Sequence, residues 1–174
     1  MLKNLTPVKS ATLVSTLLIA WAIGGPALGA LSEKTGRRKP IYFIALCMSL
    51  IGWIPILYSQ GLPLWLIIIL FGLVGFASSA IFVGFAFIKE SVPVVFAGIV
   101  TGVCNMGMEM GPMILQPVIG WTLDLKWNGV SENGIRIYDL NAYNTAFGTM
   151  IGLSLLGAMI IPFARETYCR QLKL

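Results

Sequence analysis

Histidine is absent from the 174 residues, and cysteine occurs three times, at Cys47, Cys104 and Cys169. Without histidine the chain has neither the commonest general base nor the commonest metal ligand. The cysteines are widely spaced and the first two fall inside apolar runs. They suit neither a disulfide framework nor a zinc ligand set, and read as small core residues. Charge is scarce as well: 11% of the residues are charged, against roughly 25% in an ordinary soluble domain. What fills the space is apolar, with 57% hydrophobic residues and a mean hydropathy of +0.85. A water-soluble fold cannot cover that much apolar surface. No Ser-His, paired-carboxylate or metal-ligand constellation is present either, so the expectation is a protein without catalytic residues, metal or cofactor.

The net charge of +5 would suit a nucleic-acid binder if the basic residues formed one stripe among polar neighbours. Instead they sit in short segments between long apolar runs, the arrangement by which positive charge orients membrane helices, and nucleic acid is not an expected partner. Five runs approach the ~20 residues that cross a bilayer: approximately residues 11–31, 41–59, 64–88, 96–123 and 143–164. None alternates with a period of two, so helices are the spanning form. The expected architecture is an all-α integral membrane protein in which residues 1–174 form a single membrane domain. Its expected partner is the lipid bilayer.

The first run has the look of a signal peptide, with Lys3 and Lys9 before it and small residues at 27–30. The dense basic cluster Lys34, Arg37, Arg38 and Lys39 directly after it argues otherwise, because such a cluster resists translocation and stays in the cytoplasm. Alternation then puts residues 60–63 and the loop 124–142 outside, and residues 89–95 and the C-terminal tail inside. Eight basic residues (Lys34, Arg37, Arg38, Lys39, Lys89, Arg165, Arg170, Lys173) fall inside and four (Lys3, Lys9, Lys126, Arg136) outside. Trp65, Trp121 and Trp127 lie near the outer boundary, where an amphipathic ring is favoured. Asp139 or Asn141 is placed to cap the last helix.

The loop at 32–40 carries the most specific pattern. Gly29, Leu31, Ser32, Lys34, Gly36, Arg37 and Arg38 match G-x-L-[A/S]-D-[R/K]-x-G-R-[R/K], with Glu33 in place of the usual Asp. The segment resembles the signature loop of the major facilitator superfamily, which lies in a tight cytoplasmic turn after the second helix and, more loosely, after the eighth. Only four spans follow it here. A second stretch, Lys89 to Pro93, then Gly98, Gly102, Asn105, Gln116, Pro117 and Gly120 to Asp124, is similar to the tenth-to-eleventh helix region of bacterial members. The resemblance therefore implies an incomplete C-terminal half of the bundle, helices eight to twelve of twelve, in the cell (inner) membrane. It also implies a small-molecule solute as partner and, if the gene is split, the missing N-terminal half.

The signature loop has a physical reading of its own. Gly36 lets the turn reverse, while Glu33 and Arg37 are placed to pair with charges or helix ends on segments that move. Glu90, at the inner end of the third span, is the expected partner of Arg37. Alternatively, the cluster only sets topology.

Glu109 is the one acid expected deep in the membrane. At 100° per residue, Gly98, Gly102, Asn105, Glu109, Pro112 and Gln116 lie within about 40° of one line. An ionisable group at mid-bilayer costs at least ~2.5 kcal/mol, so this stripe should face protein or water. The resemblance implies that the eleventh helix borders the central pathway, which makes Asn105, Glu109 and Gln116 candidates for touching solute or a coupling proton. The competing reading is a protonated Glu109 hydrogen-bonded to a neighbouring helix. Three G-x-x-x-G pairs, Gly25/Gly29, Gly98/Gly102 and Gly107/Gly111, should permit close helix approach. Met106, Met108, Met110 and Met113 read as adaptable filling, and Pro112 and Pro117 as kinks in the fourth span.

Two functions are compatible with this pattern. One is a fragment of a secondary active transporter that moves a small solute by alternating access with ion or proton coupling. The other is a truncated or relic membrane protein without transport of its own, or an assembly partner of another membrane protein.

Overall fold

The computed structural model describes residues 6–59, 61–132 and 134–172. Its helices are α1 (Pro7–Thr35), α2 (Lys39–Tyr58), α3 (Leu64–Ser78), α4 (Ile81–Glu90), α5 (Ala97–Leu125) and α6 (Leu140–Ile160). Five spans of these helices are long and apolar enough to cross a membrane: Pro7–Thr35, Lys39–Tyr58, Leu64–Glu90, Val94–Leu125 and Leu140–Phe163. Each overlaps one of the five expected runs, so the all-α membrane class holds.

Local chemistry marks the boundaries. Thr6 accepts from the Lys9 N–H and Pro7 opens α1, since a proline at the first helical position sacrifices no helical bond. Gly36 ends it in a left-handed conformation, φ 64°. There its N–H bonds the Glu33 carbonyl and the Arg37 N–H bonds the Ser32 carbonyl, at 3.1 and 3.2 Å. This pair is a Schellman closure, which a residue with a Cβ enters only with strain.

The third span is not the single helix expected. It breaks between α3 and α4, where the buried Ser79 turns its hydroxyl onto the Phe76 carbonyl at 2.6 Å and its N–H is shared between the Gly75 and Phe76 carbonyls. Paired serines, here Ser78 and Ser79, are a recognised cause of such breaks, because the side chain competes for the carbonyls that would continue the ladder.

The broken span is the centre of the bundle. α1 and α2 pack along α3, and α4 also meets α1, α2 and α5. The core joins Leu28, Ile41, Ala45, Ala80 and Val83, with Tyr42 and Phe76 packed against it. Close approach of α1 and α3 depends on Gly75, where a Cβ would collide with the Leu17 carbonyl oxygen. Gly75→Ala should therefore destabilise the bundle by about 1–3 kcal/mol, the usual cost of overpacking. Gly102→Ala, where a Cβ meets nothing within 4 Å, should not. Thermal unfolding of both variants in detergent checks the contrast.

The G-x-x-x-G expectation needs correction here. Of its six glycines only Gly25, which faces the Phe82 ring, is closely approached. Gly29, Gly98, Gly102, Gly107 and Gly111 have no neighbour within 4 Å. The cysteines also differ from expectation, since all three are free and half-buried rather than core.

At the end of the bundle away from the signature loop, α5 and α6 are joined by a two-stranded hairpin, β1 (Ser131–Glu132) and β2 (Ile135–Arg136). Arg136 pairs with Asp124 at 2.7 Å and lies 4.7 Å over the Trp127 ring, while Asp139 caps α6 by accepting from the Ala142 N–H. Hydrogen bonding of Tyr138 to Asp124 raises the pKa of that phenol.

Candidate functional site

At the signature end, the C-terminal residues 164–172 lie across the ends of α1, α2 and α4 and complete a buried polar cluster. Arg38 is its centre. It is only 6% exposed, and its Nη2 and Nε donate to Glu90 Oε1 at 2.8 and 3.2 Å. Nη1 donates to the hydroxyl of the fully buried Ser32 at 2.8 Å. Thr167 donates to the other Glu90 oxygen at 2.7 Å, and the Cys169 thiol donates to the Ser32 carbonyl at 3.4 Å. No buried side-chain nitrogen or oxygen among the described residues lacks a hydrogen-bond partner, the condition for a buried pair to persist. Hydrogen bonding to Glu90 raises the Arg38 pKa further, against the opposing effect of burial. Burial pushes the Cys169 thiol up as well.

Glu90 is thus paired with the signature loop, but through Arg38 and not Arg37. Arg37 is exposed and makes no ion pair among the described residues. The reason is geometric: Gly36 reverses the chain, Arg37 closes the α1 terminus with its N–H, and the next residue is the first to point back into the bundle. Glu33 is also peripheral, with a side chain 72% exposed and 3.9 Å from Arg38 Nη2. Gly29 lies on α1 with open space at its Cα.

Glu166 belongs to the same cluster and no local pattern singled it out. It accepts the Arg38 and Lys39 backbone N–H groups at 2.9 and 3.1 Å, capping α2 from 128 residues away. The strap continues through Gln171, which donates to the Lys89 and Val92 carbonyls, and Leu172, whose N–H bonds the Glu90 carbonyl at 3.0 Å. Tyr168 and Cys169 sit at φ 53° and 54°. Non-glycine residues reach that region at a cost of order 1 kcal/mol each, so the contacts on either side hold the strap in place.

The second set of residues is on α5. None of its described residues is buried, and it packs on the bundle mainly along α4 and α6. Asn105, Glu109 and Gln116 are exposed and share one face. Glu109 is the thirteenth of 29 residues in the helix, near its middle, and has no partner among the described residues. Among the described residues no neighbouring helix supplies the hydrogen bond of the competing reading. Asn105 lines an open groove of about 460 Å³ between α4 and α5, together with Phe82, Phe85, Thr101 and Lys89. Met106, Met110 and Met113 are 71%, 55% and 74% exposed, so they do not fill a core in this chain. Pro112 and Pro117 are accommodated within one continuous α-helix.

The bundle thus has five helical spans long and apolar enough to cross a membrane, a turn that matches the signature pattern, and a polar face on α5. A family model of the Major Facilitator Superfamily matches residues 3–168, and the chain belongs to that superfamily. No curated protein and no solved structure matches it. Membership makes it a multi-pass membrane protein of a transporter family.

Proposed function

We propose that the chain is the C-terminal part, helices eight to twelve of twelve, of a secondary transporter that moves a small solute by alternating access, coupled to ions or protons. The observation that carries this reading is the uncovered stripe of Asn105, Glu109 and Gln116 at the middle of α5. A carboxylic acid facing lipid there is disfavoured by ~2.5 kcal/mol or more, so the face calls for water or another set of helices beside it. The missing N-terminal half supplies both in this fold, because the solute site lies between the halves near the midplane. The signature loop and the tail are then cytoplasmic in the cell membrane. The Arg38 cluster is a latch at the inner end, where pairing of Glu90 with the loop ties α1, α2, α4 and the tail into one body.

Thiol labelling tests this. On a background lacking Cys47, Cys104 and Cys169, single cysteines replace Thr35, Asn128, Asn105, Gln116 or Val103. Val103 lies about 160° round the helix from Asn105. A membrane-impermeant maleimide added outside intact cells should modify Asn128→Cys and spare Thr35→Cys. With both faces accessible, Asn105→Cys and Gln116→Cys should react at least about tenfold faster than Val103→Cys, since a thiolate forms only in contact with water. Labelling of Val103→Cys alone would put the stripe in lipid and remove the support for a transport pathway.

A further inference from the structure

Arg37 matches the signature yet its side chain makes no ion pair among the described residues, and it stands over a crevice that nothing above has used. The crevice, of about 360 Å³, lies between the start of α2 and the short 3-10 turn after α6. Arg37 and Lys39 form its rim, Phe43, Ile161 and Pro162 its apolar wall, and Tyr168 of the strap its far edge. We propose that it binds the headgroup of an anionic membrane phospholipid, with the phosphate on Arg37 and Lys39 and the acyl chains running along the apolar wall.

Four observations converge on that ligand. The two cations are available: Arg37 has no ion pair among the described residues, and Lys39 Nζ donates only to the Pro162 carbonyl. The one carboxylate in the crevice is turned to backbone donors, Glu166 accepting the N–H groups of Arg38, Lys39, Thr167 and Tyr168, and it is outnumbered by the two cations of the lining, Arg37 and Lys39. The guanidinium fork of Arg37 matches phosphate oxygens in pairs, while Lys39 adds a point charge. Finally, the crevice lies at the ends of two membrane-spanning helices, the depth of lipid headgroups, where basic pockets between helices hold anionic lipids. The apolar wall distinguishes a lipid from free phosphate. Phe163, 89% exposed beside the wall, extends it toward the hydrocarbon. Only residence in a membrane is required, and neither the transport reading nor the sidedness enters.

The test uses the full chain purified in mild detergent. Phosphatidylglycerol, phosphatidylcholine and inorganic phosphate are added separately, with bound lipid counted by native mass spectrometry and the unfolding temperature recorded. Phosphatidylglycerol should be retained about tenfold more tightly than phosphatidylcholine and raise the unfolding temperature, with each basic residue supplying a several-fold share. Arg37→Gln with Lys39→Gln should abolish that preference. Lys9→Gln with Lys126→Gln, equal in charge loss but at the other end of the bundle, should keep it. Arg37→Gln alone removes no ion pair among the described residues, so it should fold normally and lose part of the preference. Equal retention of phosphatidylglycerol by the two double variants would overturn the proposal. So would displacement of the lipid by millimolar phosphate, which would make the crevice an anion site rather than a lipid site. A failure here leaves the labelling at Asn105 and Gln116 untouched, so the two readings fall separately.

Discussion

Arg38→Ala should destabilise the folded chain by about 3–5 kcal/mol, whereas Arg37→Ala, one residue away, should change stability by less than about 0.5 kcal/mol. The asymmetry follows from burial. Removing the Arg38 guanidinium strands the Glu90 carboxylate, whose side chain is 13% exposed, and leaves Ser32 without its donor. An uncompensated charge in such a place is the most damaging outcome for a buried pair, far more so than loss of a surface contact. Arg37 has no pair to lose. The double exchange Arg38→Glu with Glu90→Arg should recover part of what either single change removes, because the attraction survives while the bonds to Ser32 and Thr167 do not. Thermal unfolding in detergent reads all five variants. Equal effects of Arg37→Ala and Arg38→Ala would show that the latch is not centred on Arg38.

The five spans were legible because length and apolar content alone decide what crosses a bilayer. Their finer features depend on other things. The break between α3 and α4 turns on which carbonyl the Ser79 hydroxyl captures, and apolar content does not register that. The choice between Arg37 and Arg38 depends on the chain reversal at Gly36. Two adjacent cations look alike until the Schellman closure points one of them inward.

Glu166 was missed for a different reason, since a cap supplied across 128 residues leaves no local pattern. A signal did exist. Helix α2 opens on Lys39-Pro40 after Arg38, with no Ser, Thr, Asp or Asn to take its free N–H groups, so a distant acceptor was required. At the signature end the only acids are Glu33, Glu90 and Glu166. With Glu90 engaged by Arg38, elimination pointed to the tail.

The polar stripe on α5 was legible in full as a pattern. What lies against it is not, because among the described residues the helix packs mainly on α4 and α6 and leaves the stripe uncovered. The exposure of Asn105, Glu109 and Gln116 together therefore carries the functional reading. It also leads to the second large effect. On the reading proposed above, Glu109 is the coupling acid of this face, with Asn105 a turn away on the same face as the polar group beside the solute.

Glutamine keeps the shape and the hydrogen-bonding capacity of the protonated acid but cannot release a proton. In the assembled transporter, Glu109→Gln should therefore fold and insert normally, yet lose uptake driven by an imposed proton gradient, while exchange of solute across the membrane without net proton movement persists. The measurement is solute uptake against external pH, in vesicles carrying the unaltered protein or Glu109→Gln. Uptake that falls to background and no longer responds to pH is the expected result. Normal uptake by Glu109→Gln with an unchanged pH profile would contradict the proposal that this face of α5 carries the coupling proton.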